Sequence, residues 1–128
     1  MSRKEARENA FKLIFEYTFS KEKNEDLLEE YTSGADADDV SYVSEIYSGV
    51  IAHYDELVSL ISENAEKFEF DRLYKVDVAL LLLAIYEIKY VDSVPFKVSV
   101  DEALNLASKY STEKSVKYIN GVLSKFAR

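Results

Sequence analysis

The chain is nearly devoid of the residues that let a backbone turn sharply: three glycines and one proline occur in 128 positions. Sheets need tight turns between neighbouring strands, and those turns draw on glycine, proline and short polar residues. A chain so poor in them is expected to fold as helices joined by few connections, an all-α architecture. Its length suits one domain with a real core and is too short for two ordinary ones. Ten tyrosines and seven phenylalanines, with no tryptophan, supply the large core groups.

Helical periodicity runs through most of the sequence. Ser2 followed by Glu5 fits a capping box, and Ala6, Ala10, Leu13, Ile14 and Tyr17 then form a stripe. Arg3, Lys4 and Arg7 fall within one arc on another side. The polar stretch Ser20 to Asn24 breaks the pattern. A short acidic helix from about Glu25 to Tyr31 follows, and Thr32 to Asp39 reads as a loop. Val43, Ile46, Tyr47 and Val50 resume the period, and Leu57, Leu60 and Ile61 continue it past a break near His53–Asp55. Phe68 to Tyr74 reads as a connector between an N-terminal half, about 1–67, and a C-terminal half, about 70–128. The run Lys75 to Val91 predicts a buried central helix, ended by Asp92–Pro95 because the residue before proline avoids helical angles. Ser99 with Glu102 reads as a second capping box opening Val100 to Tyr110. The last helix spans about Glu113 to Phe126. About seven helices are expected.

Several chemistries find no support. Cysteine is absent, so no disulfide or thiolate chemistry is available, and a reducing, cytoplasmic setting is compatible. The basic start lacks a leader's apolar run, which Lys12 and Glu16 interrupt. The longest apolar run, Val78 to Tyr86, falls far below the roughly 20 residues of a membrane helix. His53 is the only histidine, with no evident catalytic partner. Asp36, Asp38 and Asp39 resemble the start of a calcium loop but lack its glycine and closing glutamate. Gly34, Gly49 and Gly121 form no phosphate-cradling loop. Asp101 and Glu102 have an ordinary explanation in the first turn of a helix. No enzyme, metal or cofactor is expected.

Charge is distributed unevenly. The net charge is −8, yet both ends are basic. In residues 1–12, Arg3, Lys4, Arg7 and Lys12 against Glu5 and Glu8 leave +2. In residues 109–128, Lys109, Lys114, Lys117, Lys125 and Arg128 against Glu113 leave +4, so the middle holds −14. Local field rather than net charge steers a polyanion. In the last helix Val116, Ile119, Val122, Leu123 and Phe126 share one face, and Lys114, Lys117, Tyr118, Gly121 and Lys125 share the other. Cations for phosphates, a ring for a base and a bare backbone position suit a nucleic-acid strand. On periodicity alone, a solvated lysine face with an incidental tyrosine is the simpler reading.

Three separated motifs carry a resemblance that covers nearly the whole chain. They are ARENAFKLIFEY near the start, FDRLYKVDVALLLLAIYEI in the middle, and VPFKVSVDEALNLASKY with KYINGVLSKF at the end. Together they resemble the bacterial transcription antitermination factors of the NusB family.

That resemblance implies a small helical protein that pairs with ribosomal protein NusE. The pair binds the boxA element of nascent ribosomal RNA and loads onto RNA polymerase. It implies RNA contacts at Arg3, Lys4 and Arg7, and at Lys114, Lys117, Tyr118 and Gly121, with Lys125 on the same face. It implies a partner surface that includes Phe15, Asp77 and Asp71. The sequence departs from the family pattern where Glu5 and Glu8 interrupt the N-terminal basic run, and where Leu82 stands in place of an arginine. Two alternatives stand beside this reading. One is an RNA-modifying enzyme, for which the chain offers neither a catalytic region nor a cysteine. The other is a pure protein-interaction module built on the acidic middle. Monomer and homodimer both remain open.

Overall fold

The computed structural model describes residues 1–65 and 73–127, and every regular element among them is a helix. In chain order these are α1 (Arg3–Ser20), α2 (Glu25–Thr32), α3 (Ala37–Ala52), α4 (Tyr54–Asn64), α5 (Lys75–Tyr90), α6 (Phe96–Tyr110) and α7 (Glu113–Ser124).

The α5 helix is the axis of the molecule. Every residue from Asp77 to Ile88 is buried, as befits a helix apolar all round. It packs against α1, α3, α4, α6 and α7. Leu80, Leu81, Leu82 and Ile85 are essentially inaccessible, and each such side chain contributes about 1.5–3 kcal/mol by leaving water. Leu82 is therefore a core residue, with no surface role for a polar group to fill. Buried residues of α1, α3, α4, α6 and α7 join α5 in one cluster.

Local chemistry sets the helix ends. Ser2 and Glu5 form the expected capping box on α1, and Lys21 closes that helix in the left-handed conformation, φ 58°. The Asn24 side chain caps α2 by accepting from Leu27 N–H, and the Asn24 N–H donates to the buried Tyr47 hydroxyl at 2.9 Å. His53 is the joint between α3 and α4.

Three expectations require correction. The Asp36–Asp39 stretch is not wholly loop: Asp36 caps α3 by accepting from Asp39 N–H, so the acidic cluster lies at a helix N-terminus where the dipole favours it. The α6 helix opens at Phe96 directly after Pro95, not at Val100. Proline's fixed φ and missing N–H suit a helix entrance, so Pro95 separates α5 from α6 and starts the second. Ser99 is consequently buried inside α6 and caps nothing. Finally, α7 ends at Ser124, two residues short of Phe126.

Candidate nucleic-acid and partner interfaces

The α7 helix begins at Thr112, whose hydroxyl accepts from Ser115 N–H at 3.0 Å. Its apolar side seats Ile119, Val122 and Leu123 in the core. Lys114, Lys117 and Gly121 are exposed on the opposite side. Among the described residues nothing lies within 4 Å of the position a Cβ on Gly121 would occupy. No described helix packs closely enough here to require a glycine, and the open backbone remains. Lys125 follows the last turn, and its Nζ donates to the Asn64 carbonyl at 3.1 Å.

Tyr118 is less exposed than its place on the polar face of α7 suggests. It is half-buried and packs against the core. Burial, and then the nearby Asp77 charge, push its phenol above the ordinary range. Its ring borders a cleft of about 400 Å³ that is also lined by Leu73, Tyr74, Asp77, Thr112, Lys114 and Ser115.

Asp77 sits in the first turn of α5 and is 4% exposed. Ser111 Oγ donates to its Oδ1 at 2.8 Å and Ser115 Oγ to its Oδ2 at 2.7 Å. Both carboxylate oxygens thus hold the α6–α7 junction against the start of α5. Asp77, which the resemblance places on the partner surface, thus lies beneath that cleft with both carboxylate oxygens already engaged. Asp71, the other acidic candidate, lies outside the described residues.

Phe15 belongs to a ladder of rings along α1. Its centroid is 6.2 Å from Phe11 and 5.1 Å from Phe19, while Tyr110 of α6 stands 5.3 Å from Phe11. Phe19 and Tyr74 are largely exposed, at 62% and 64%. Phe15, Tyr74, Lys75, Val76, Tyr110, Ser111 and Thr112 line a second cleft of about 400 Å³. Tyr74 and Thr112 border both clefts, so an aromatic groove runs from the α1 ladder to Tyr118 and Lys114. Sequence reasoning passed over Phe19, although its spacing of four from Phe15 was the available signal.

The N-terminal cations do not share one fate. The Arg3 and Lys4 side chains are exposed. Arg7 is buried, whereas the resemblance implies an RNA contact for it. Its Nε and Nη2 donate to the two oxygens of Glu87 at 3.2 and 3.0 Å. Tyr42 donates to the same carboxylate at 2.8 Å. Burial alone would lower the Arg7 pKa, but the Glu87 hydrogen bond and the charges of Glu87 and Glu102 outweigh it and raise it. Desolvation, and then Glu87, hold the Tyr42 phenol protonated well past its ordinary range. The cation matching Glu87 in the apolar α5 helix is therefore Arg7.

The NusB family profile matches residues 4–128. The transcription antitermination protein NusB of Agathobacter rectalis is 42% identical over 99% of this chain and 100% of its own length. The chain belongs to the NusB family. Its NusB relative from Listeria innocua is 41% identical over 99% of this chain and 97% of its own. In fold it matches T. maritima NusB with a TM-score of 0.91 at 32% identity, covering 99% of this chain and 91% of the other. It also matches a chain from the crystal structure of the antitermination factors NusB and NusE in complex with dsRNA. That match has a TM-score of 0.86 at 27% identity, over 97% of this chain and 94% of the other. No helix among the described residues is long and apolar enough to cross a membrane.

Proposed function

We propose that this NusB-family protein acts in transcription antitermination as a non-catalytic adaptor in the cytoplasm. It binds boxA RNA together with NusE and delivers the pair to RNA polymerase. The observation that carries this reading is the α7 surface. Two exposed lysines and a solvent-facing glycine with room around its backbone stand next to a tyrosine-bordered cleft. A strand laid there meets charge for its phosphates, unobstructed backbone and a ring for a base. Arg3, Lys4 and Lys125 extend the basic surface; Arg7 supports it from inside.

NusE is assigned to the aromatic groove through Phe15, Phe19, Tyr74 and Tyr110, with Asp77 holding the groove's shape from beneath. Exposed aromatics beside polar groups are typical anchors of protein interfaces, and a chain of the solved NusB–NusE–dsRNA structure has the same fold.

The test is a binding titration of boxA-bearing RNA and a scrambled control, with and without NusE, at two salt concentrations. Selective, salt-sensitive binding that strengthens with NusE is the expected result. Equal binding of both RNAs with NusE present would overturn the RNA reading and leave a protein-interaction module.

A further inference from the structure

The cations at the start of α1 already face carboxylates of the same chain. Arg3 Nε lies 3.3 Å from Asp39 Oδ1, and Lys4 Nζ lies 3.9 Å from Glu102 Oε1. The other Glu102 oxygen is 3.9 Å from Arg7 Nη1. Arg7 is held by Glu87 and cannot follow a ligand. By contrast, neither Lys114 nor Lys117 forms an ion pair with a described residue.

We propose that Glu102 is an intramolecular competitor of RNA phosphate for Lys4, so that the N-terminal surface binds RNA below its capacity. The inference rests on the RNA reading above. The Lys4 side chain is 67% exposed and its contact with Glu102 is too long for a hydrogen bond, so a phosphate can displace it. Displacement leaves the Glu102 charge beside the incoming phosphate. That residual repulsion, and the carboxylate's prior screening of Lys4, reduce the counterion release a bare lysine would give. The two helices therefore do unequal work: α7 offers lysines with no ion pair among the described residues, while α1 offers cations that must first be taken from α6 and α3.

Glu102→Gln preserves size and removes the charge. Its affinity for boxA-bearing RNA at low salt is expected to rise about three- to tenfold, with a steeper dependence of log affinity on log salt. Lys4→Ala should weaken the wild type less than about twofold, yet erase most of the gain in the Glu102→Gln background. Asp55→Asn makes the same change in net charge at the exposed start of α4, beside the far end of α1 where Lys21 meets Tyr54. It should leave affinity within about twofold, because screening attenuates so distant a charge. Should Glu102→Gln unfold, Glu102→Ala, which likewise takes the carboxylate away from Lys4, must produce the gain instead. No gain, a gain matched by Asp55→Asn, or a gain that survives loss of Lys4 overturns the proposal while leaving RNA binding intact. Wild-type protein that binds this RNA no better at low salt than at high overturns both readings.

Discussion

Arg7 and Glu87 stand 80 positions apart in the chain and meet through two parallel hydrogen bonds in the protein interior. The pair joins α1 to α5 at a place where neither charge can reach water. Removing one partner strands the other, at a cost of about 3–5 kcal/mol. Glu87→Ala should therefore lower stability strongly in urea unfolding. Replacing both partners with leucine should recover much of the loss, since the desolvation of both charges disappears along with their attraction. A single variant as stable as wild type would mean the pair is hydrated.

Lys114→Ala combined with Lys117→Ala should weaken RNA binding without lowering thermal stability, because both side chains project from the exposed side of α7. Each lost phosphate contact on a single strand should flatten the log–log salt slope by about 0.7. Unchanged affinity in a folded double variant would remove this surface from the RNA site.

Gly121→Ala should separate stability from binding. Alanine in a helix interior is worth about 1 kcal/mol over glycine, and the added methyl meets no described residue within 4 Å. The variant should melt at a higher temperature yet bind RNA more weakly, because the methyl intrudes where the strand approaches. Equal or tighter binding would show that the strand does not approach the backbone there.

Glu8 gives an acid-side signature. Hydrogen bonds from Lys109, then from Tyr110, hold its carboxyl below the ordinary 4.5. A depressed carboxyl pKa stabilises the fold above the unfolded-state value, and the benefit disappears as pH falls through the folded-state value. The stability difference between wild type and Glu8→Gln should be present at neutral pH and close progressively below about pH 4.5. A difference that stays constant to low pH would show that the Glu8 charge is not its source.

Much of the architecture was legible because helical periodicity and punctuation agreed. The Ser2–Glu5 box, the break at His53 and the apolar run of α5 all appear in the structure. Burial of individual polar residues was harder to read. Arg3, Lys4 and Arg7 share an arc in projection, but an arc does not reveal where the neighbouring helix sits. Arg7 turns inward because Glu87, far along the chain, waits there. Asp77 carries the same lesson: its dipole role was readable, whereas its two serine donors come from the α6–α7 junction. The Pro95 entrance was missed because proline signals the end of one helix and the beginning of another with the same chemistry.

Gly49 records a further constraint, on how this sequence can change. A Cβ there would fall 2.2 Å from the Tyr86 ring end, so the tyrosine of α5 occupies the volume that a side chain on α3 would need. Adding the methyl alone crowds the core, and trimming the ring alone leaves a void. A descendant of this chain that gains a side chain at 49 is therefore expected to move or replace the Tyr86 ring as well.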